Sequence, residues 1–450
     1  MIGINTKARL VCIAVAFVAA VSAQAGTWAP PVALSTGGQG FEAAVAIDEN
    51  GNSVALWDEI TTLDQLWSRS KPRGGSWGSV TEVSPALQTN SPLPVVRISA
   101  AGFATAVWSD NSGVWTADRP AASNWNPAQL LIPGASNPIF VMNSQGAGAI
   151  AWTVGNPPGS GSSVLAVVRP AGGVWTSQQT VASGTFVAAD HAGIGDNGAV
   201  IVTWETYNLV CKKHYRTQNS FVLHASRQNA GTGAWVDSGA LLGPDGATHD
   251  ARVALDLAGG AMLVALNSSA AYTSATQGVS GGAWSALKTI VAPQGIVLTT
   301  DLASDDAGQA TLVYEVIGFS TSQVFAVSGA ISNNVWSAPV VLSGSDTSVG
   351  SVYFAVAPGG PALTVWVTGS ATPQIHAVVR ATGTGTWGSP VTVSGPGSEL
   401  APEAAAVSSA GSAIVVYSAY DTAGVHTEYA KLYALDEALW RGPAGRCANN

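Results

Sequence analysis

The chain has 450 residues, of which 18 are Lys or Arg and 27 are Asp or Glu, so its formal net charge at pH 7 is −9. Only 10% of the residues are charged, and the basic ones are scattered. This balance argues against a nucleic-acid-binding protein and against one that docks on anionic membrane surfaces.

The first 25 residues have the pattern of a secretory leader. Lys7 and Arg9 precede the apolar run Leu10–Val21, which is too short to span a membrane. Ala23-Gln24-Ala25 then fits a small-residue cleavage site. We therefore predict an exported protein, secreted or periplasmic, that loses residues 1–25 and does not insert into the membrane afterwards.

One phrase repeats along the rest of the chain, and its first copy runs from Trp28 to Trp57. A Trp opens a short apolar strand, a polar loop follows, and two alternating strands joined by a Gly turn end on a second aromatic residue. The opening Trp recurs about every 50 residues, at Trp28, Trp77, Trp125, Trp175, Trp235, Trp284, Trp336 and Trp387. The closing positions are assigned to Trp57, Trp108, Trp152, Trp204, Leu266, Tyr314, Trp366 and Tyr417.

Each copy reads as four strands, because four segments alternate between apolar and polar residues. In the first copy these segments are roughly Ala43–Asp48, Ser53–Asp58, Leu63–Ser70 and Trp77–Val83. A unit of this size cannot bury its apolar faces alone, so repetition predicts stacking around a common axis. Eight copies predict an all-β fold, an eight-bladed β-propeller of four-stranded blades.

The propeller is predicted to occupy residues 26–440, with a C-terminal tail at 441–450. The chain begins on an outer-type strand, so we expect the N-terminal strand to complete the last blade and leave no long edge unpaired. Leu435–Trp440 competes for that edge. An oxidising compartment permits a disulfide between Cys211 and Cys447, but the two belong to opposite sides of the predicted ring, which favours free or intermolecular thiols.

The one conspicuous insertion, Glu205–Asn219, lies in blade 4 between the second and third strands. It should therefore lie on the face that also bears the longer outer-to-inner connections, here called the loop face. Loops on a rigid scaffold often carry function, so this face is the predicted ligand face. The alternative is a surface excursion with no ligand.

Acidic residues follow several closing aromatics and should ring the loop face. With the insertion they give the ligand-face candidates Asp58, Glu59, Asp110, Glu205, Tyr207, Lys212, Lys213, His214, Arg216 and Glu315. The inner strands and their approaches give the channel candidates Glu42, Arg97, Asp190, His191, Asp250, Arg252, Asp301 and Glu403. A glycoside hydrolase would need two of these carboxylates to face each other across a substrate.

Most of the 16 Trp residues occupy the two recurring positions, which favours packing between blades over repeated sugar sites. Trp67, Trp115 and Trp440 lie off those positions and are candidate exposed platforms. Arg recurs near the end of the third strand, where it can stack on the opening Trp, at Arg69, Arg119, Arg169, Arg227 and Arg380.

No spacing of His and Cys matches a zinc site, and there is no phosphate loop or nucleophile elbow. Asp48-Glu49-Asn50-Gly51 could bind calcium, but a hairpin turn explains the same residues. We predict no metal and no cofactor.

The order of Trp phrase, inner strand, Gly turn and aromatic-ended strand resembles bacterial exported propeller repeats, including sialidase-like propellers and tandem-repeat propeller lectins. The resemblance covers Trp28 to Trp440 and concerns layout. The sialidase Asp-box is half met at Ser304-Asp305-Asp306-Ala307-Gly308, and only Arg97 and Arg252 lie on inner strands, where a sialidase has three arginines. The sialidase catalytic motifs are thus missing.

These observations lead us to expect a secreted, non-enzymatic module that binds a glycan or a protein through the loop face. An exported glycoside hydrolase or lyase with a channel-centred site is one alternative. A scaffold in a cell-envelope complex is the other.

Overall fold

The computed structural model of the protein describes residues 27–35, 39–60, 64–85, 93–155, 161–212, 216–230, 233–291, 296–318, 321–346, 348–369, 373–381, 385–394, 401–420 and 426–434. For residues 39, 41, 208–212, 216–219, 299–300, 426 and 434 it describes the backbone only. The predicted leader, Leu435–Trp440 and the tail with Cys447 lie outside these ranges. Within them all elements are β-strands, so no helix there has the length and apolarity that crossing a membrane requires.

The strands form eight antiparallel blades around a central channel, which confirms the predicted eight-bladed propeller. In blades 1 to 7 each strand pairs with the next one in the chain. Blades 1 to 3 comprise β3 (Gln39–Ile47), β4 (Ser53–Ile60), β5 (Asp64–Lys71) and β6 (Thr81–Glu82); β7 (Val95–Ile98), β8 (Ala104–Asp110), β9 (Gly113–Arg119) and β10 (Gln129–Pro133); and β11 (Ile139–Met142), β12 (Gly148–Gly155), β13 (Ser162–Arg169) and β14 (Gln179–Gly184).

Blades 4 to 7 follow the same plan, with the fourth strand of blade 6 split in two. They comprise β15 (Val187–Ile194), β16 (Val200–Lys212), β17 (Arg216–Gln228) and β18 (Trp235–Asp245); β19 (Arg252–Leu255), β20 (Ala261–Leu266), β21 (Tyr272–Gln277) and β22 (Lys288–Val291); β23 (Ile296–Ser304), β24 (Gln309–Ile317), β25 (Ser322–Ala330), β26 (Val335–Trp336) and β27 (Val340–Val341); and β28 (Val349–Val356), β29 (Ala362–Thr368), β30 (Gln374–Arg380) and β31 (Val391–Thr392).

Blade 8 closes the ring with both ends of the chain. Its first three strands are β32 (Ala401–Val407), β33 (Ala413–Tyr420) and β34 (His426–Ala434). The outer edge of β34 is paired by the N-terminal strands β1 (Thr27–Trp28) and β2 (Val32–Ala33), with Trp28 opposite Tyr433. This confirms that the N-terminal strand completes the last blade.

The two recurring aromatic positions pack between blades, as the sequence predicts. The opening Trp residues are all half-buried, and several donate their indole N–H back to the preceding blade, as Trp125 does to Ser68 Oγ at 2.8 Å. The closing aromatics are buried. In blade 5, however, the closing position is Ala265, because Val264 pairs with Arg252 as Val313 pairs with Asp301 in blade 6. The assignment of Leu266 was therefore one residue too late.

Most closing aromatics also pair with a ring on the neighbouring third strand, a relationship that favours sheet stability. The cross-strand pairs are Trp57–Trp67, Trp108–Trp115, Trp204–His224, Tyr314–Phe325, Trp366–His376 and Tyr417–Tyr429. Trp67 and Trp115 are consequently half-buried packing residues rather than exposed platforms. Trp440 lies outside the described residues.

Two of the recurrent arginines stack on an opening Trp, as predicted. The Arg169 guanidinium lies 4.6 Å from the Trp175 ring centroid and 2.8 Å from the Asp118 carboxylate. The Arg380 guanidinium lies 5.4 Å from the Trp387 ring centroid. These arginines tie adjacent blades together.

Candidate functional site

The channel has two different mouths, and the loop-face mouth carries the candidate site. At the opposite mouth a cavity of about 250 Å³ is lined by the inner hairpin turns and by an apolar ring that includes Ile47, Ile98 and Met142. At the loop face a larger cavity of about 480 Å³ opens between blades 4, 5 and 6. It is lined by Ala188, Ala189, Asp190, Glu205, Thr248, Asp250, Leu266, Val297 and Leu298. We call it the mouth cavity.

Three predicted residues from two groups meet in the mouth cavity: the channel candidates Asp190 and Asp250, and the ligand-face candidate Glu205. Local backbone irregularities direct the first two inward. The pairing of β15 with β16 shifts register at Asp190, so this residue is a β-bulge. Asp250 has φ of 40°, a conformation that Asp tolerates better than most residues.

The carboxylates of the mouth cavity are held by protein partners. Asp190 Oδ2 accepts a hydrogen bond of 2.6 Å from the Ala251 N–H, and Asp250 Oδ1 lies 2.7 Å from Arg252 Nη1. The same Arg252 nitrogen is 3.9 Å from Asp190 Oδ1. Burial raises the pKa of Asp190 to about 7, although the positive charge of Arg252 and the Ala251 hydrogen bond oppose the rise. Asp190 is therefore partly protonated near neutral pH.

A second polar layer lies deeper in the channel. His191, Arg252 and Asp301 occupy equivalent positions on the inner strands of blades 4, 5 and 6, and His191 Nε2 lies 3.8 Å from Asp301 Oδ1. Burial, with the charges of Arg252 and Arg97, lowers the pKa of His191 to about 3, so its imidazole is neutral. The His191 Nδ1 accepts the Val253 N–H at 3.3 Å, which leaves the proton on Nε2.

Arg97 reaches the channel from the far side, on blade 2. Its side chain is open to channel water, and its guanidinium donates to the Val96 carbonyl at 3.1 Å. Enclosure by the surrounding strands lowers the pKa of Arg97, and the negative charge of Asp301 partly offsets this. Burial likewise raises the pKa of Asp301. The channel floor is therefore polar, with arginines on two sides.

Sequence reasoning missed His249, which stands directly behind the cavity wall. It is fully buried, and it contacts Glu205 and Asp245 through its two ring nitrogens. A lone His carries no repeat signal, and Glu205 lies far from it in the chain. The only sequence hint was its position next to the channel candidate Asp250.

The insertion forms a long β-hairpin and not an irregular loop. Strands β16 and β17 stay in register from Val200–Gln228 to Lys212–Arg216, well beyond the hairpins of other blades. At its base Tyr207 stacks on Phe186, with ring centroids 4.5 Å apart, and lies 6.1 Å from Phe221. The backbone of Lys212 and Arg216 is near the tip, while Lys213 and His214 lie outside the described residues.

The remaining ligand-face acids do not form the exposed ring that the sequence suggests. Asp58, Glu59 and Glu315 are buried, with exposed fractions of 0%, 4% and 7%. Glu59 accepts the Trp57 indole N–H at 2.8 Å, and half-buried Asp110 accepts the Trp115 indole N–H at 2.9 Å. These acids serve packing and turns because the pleat points them into the seams between blades.

Two further channel candidates also act between blades. Glu42 accepts the Leu93 N–H of blade 2 at 3.0 Å, and Glu403 accepts the Ala43 N–H of blade 1 at 3.4 Å. In the part of the chain that the structure describes, no three His, Cys, Asp or Glu side chains are grouped so as to hold a metal ion. Asp48 forms the predicted turn, accepting the Asn52 N–H at 2.8 Å.

Comparisons with known proteins give only distant likenesses. No family model matches the chain, and no curated protein matches its sequence. The fold is similar to a polysaccharide lyase described as a PL25 ulvan lyase, at 11% identity and TM-score 0.46, covering 75% of this chain and 93% of that one. It is also similar to a lectin from Burkholderia pseudomallei, at 14% identity and TM-score 0.46, covering 80% and 100%.

A lectin from Aleuria aurantia is similar at 14% identity and TM-score 0.36, with 68% of this chain and 97% of that one covered. Identities and TM-scores this low carry no conclusion about ligand or reaction.

Proposed function

We propose that this protein is an exported, non-catalytic binding module that takes a glycan in the mouth cavity. The observation that carries the proposal is the convergence of Asp190, Glu205 and Asp250 around one open cavity, with each carboxylate oriented by a protein partner. Fixed acceptors with a few apolar neighbours suit a ligand that is rich in hydroxyl groups.

The charges of the cavity favour a neutral sugar over a cationic ligand. Arg252 compensates Asp250, Asp190 is partly protonated near neutral pH, and His249 lies against Glu205. The carboxylates therefore offer hydrogen-bond acceptors with little uncompensated charge. Sugar hydroxyls donate to such acceptors without having to neutralise them.

An aromatic stack stands beside the cavity. Tyr207 is two residues beyond Glu205 on β16, so both side chains lie on the same side of the blade. The Tyr207 ring is half-buried and already held by Phe186. A prepositioned ring can stack on a sugar face at little cost in side-chain entropy.

The test is a glycan array with residues 26–450, run with calcium and with chelator. The site variant is Thr248→Trp, which places a large ring in the cavity from an exposed position, and the control is Leu257→Trp at the opposite mouth. We expect selective binding that Thr248→Trp weakens at least about tenfold, or roughly 1.4 kcal/mol, and that Leu257→Trp preserves. A silent array, or equal binding by both variants, would contradict the proposal and turn the search to protein ligands.

A glycoside hydrolase or lyase is the second candidate, favoured by the pKa of Asp190 near 7, which suits a general acid or base. Any glycan bound on the array is incubated with the protein and examined for new ends by mass spectrometry. Cleavage that Asp190→Asn abolishes while binding remains would establish the enzyme. The channel has Arg97 and Arg252 as its only described inner-strand arginines, so we do not propose sialidase-type recognition.

A further inference from the structure

His249 bridges two carboxylates from different parts of blade 4. Its backbone N–H and its Nδ1 both contact Glu205 Oε1, at 2.7 and 2.8 Å. Its Nε2 lies 3.3 Å from Asp245, at the end of β18. The side chain has an exposed fraction of 0%, so water does not substitute for either partner. The ring thus joins the base of the long hairpin to the segment that leads into blade 5.

Both contacts can be hydrogen bonds only when the ring carries two protons. A neutral imidazole has one N–H and one lone pair, and a lone pair aimed at a carboxylate is repelled. Burial alone lowers the pKa of His249, but the hydrogen bond and charge of Glu205, together with Asp245, raise it above the ordinary value. The other charged groups nearby are Asp190, which interacts with Glu205, and the Asp250–Arg252 pair on the same segment.

The bridge stands directly against the mouth cavity. Thr248 and Asp250, the neighbours of His249 in the chain, both line the cavity, as does its partner Glu205. The His249 carbonyl accepts the N–H of another lining residue, Leu266, at 2.7 Å. Any movement of His249 therefore moves one side of the cavity.

We propose that His249 is the positioning residue of the mouth cavity, which is formed while the imidazole is protonated and loosens when the proton is lost. The effect of His249 on ligand binding rests on the proposed function, but its bridge between Glu205 and Asp245 does not. The direction of the pH dependence follows from linkage. A histidine whose pKa is higher in the folded than in the unfolded state stabilises the fold at pH values below its unfolded-state pKa, and this stabilisation is lost as the pH rises through its folded-state pKa.

The first experiment follows the histidine side chains of residues 26–450 by nitrogen-detected NMR titration, without ligand. The His249 signals are assigned by their loss in His249→Gln. We expect them to titrate above the range of an ordinary histidine, and Asp245→Asn to move that transition to lower pH while the fold is kept. Asp346→Asn is the matched control, because Asp346 contacts His376 at 2.7 Å and should leave His249 unchanged. A His249 that is neutral at pH 6 would overturn the proposal.

The second experiment measures amide hydrogen exchange, corrected for intrinsic rates, at residues 245–250 and at the hairpin base. We expect exchange there to accelerate about tenfold or more in His249→Gln, and in the wild type as pH passes the His249 transition. Unchanged protection in the His249→Gln variant and in the wild type above the transition would also overturn the positioning role of His249. Glycan binding, where found, should weaken over the same pH range. A silent glycan array, together with a His249 that titrates as expected and protects the neighbouring amides from exchange, would refute the proposed function and leave the positioning role of His249 intact.

Discussion

The Asp190 carboxylate of blade 4 accepts a hydrogen bond of 2.6 Å from the backbone N–H of Ala251 in blade 5. Glu42 of blade 1 and Glu403 of blade 8 also each accept a backbone N–H from the next blade. Several acids that the sequence marks as channel residues thus join neighbouring inner strands, and we expect their substitution to lower the free energy of unfolding.

Comparing Asp190→Asn with Asp190→Ala isolates this inter-blade bond. Asn keeps an acceptor for the buried Ala251 N–H, whereas Ala leaves it unsatisfied, so we expect Ala to be less stable than Asn by about 1–3 kcal/mol at every pH. Urea unfolding at several pH values measures the difference. Equal stability of the two variants would show that the bond contributes nothing.

Comparing the wild type with Asp190→Asn tests how the ionisation of Asp190 affects stability. Because the folded pKa of Asp190, about 7, exceeds its value in an unfolded chain, ionisation favours unfolding. Wild-type stability should therefore fall relative to Asp190→Asn as pH rises from about 4 through about 7. Parallel stability curves over that range would contradict this assignment.

Asp58 should behave as a buried carboxyl that the fold tolerates only in its protonated form. It is fully buried, and burial raises its pKa to about 9, with the nearby Asp64 and Glu42 adding to the rise. Ionisation again favours unfolding, so Asp58→Asn should raise the free energy of unfolding by about 1–3 kcal/mol at pH 8 and by little near pH 4. Glu49→Gln at an exposed turn is the control, and a destabilised Asp58→Asn at pH 8 would refute the prediction.

The two recurring aromatic positions should differ in energetic weight. Trp366 closes blade 7 and is fully buried, so Trp366→Ala should cost about 3–5 kcal/mol. Trp387 lies on the outer side of the same blade, where it opens the next copy of the repeat, and is half-buried, so Trp387→Ala should cost roughly half as much, including its contact with Arg380. Chemical denaturation gives both values, and the reverse ranking would mean that the seams are packed differently.

Ring closure can be tested by matched truncations at the two ends. Removing residues 1–35 takes away β1 and β2 and exposes the edge of β34, which should lower the thermal midpoint and promote self-association through that edge. Removing residues 435–450 takes away the competing segment and should change neither property. Light scattering and calorimetry decide, and a stable monomer after the first truncation would exclude N-terminal closure.

The fold could be predicted from the sequence because each blade repeats the same demands. Trp57 and its counterparts recur at fixed intervals, and the phase of Trp28 indicates which strand closes the ring. The cross-strand partners were harder to recognise because Trp67, His224 and Tyr429 meet the same need with different residue types. The closing position of blade 5 was hard to assign for a similar reason. Ala265 is not aromatic, and the buried ring of that blade is Tyr272 on the third strand, whose centroid lies 5.2 Å from that of Tyr314 in blade 6.

The candidate site could be predicted only in part. Asp58 and Glu59 are neighbours in sequence, but the pleat sends them into different seams, and both are buried. Asp190 is directed by a bulge that no local residue pattern announces. His249 depends on partners from two separate strands, so its role is visible only once the blades are assembled.

The Ser35 hydroxyl and the Glu428 backbone N–H are hydrogen-bonded although 393 positions separate them in the chain. Ser35 is therefore synthesised long before Glu428. A growing chain cannot complete this fold one domain at a time, as a row of independent domains can. Such distant pairings are slow to form, because the entropy of closing the loop must be spent first. Until β34 is available, β1 and β2 lack their native partner, so we expect ring closure to be a late step in folding.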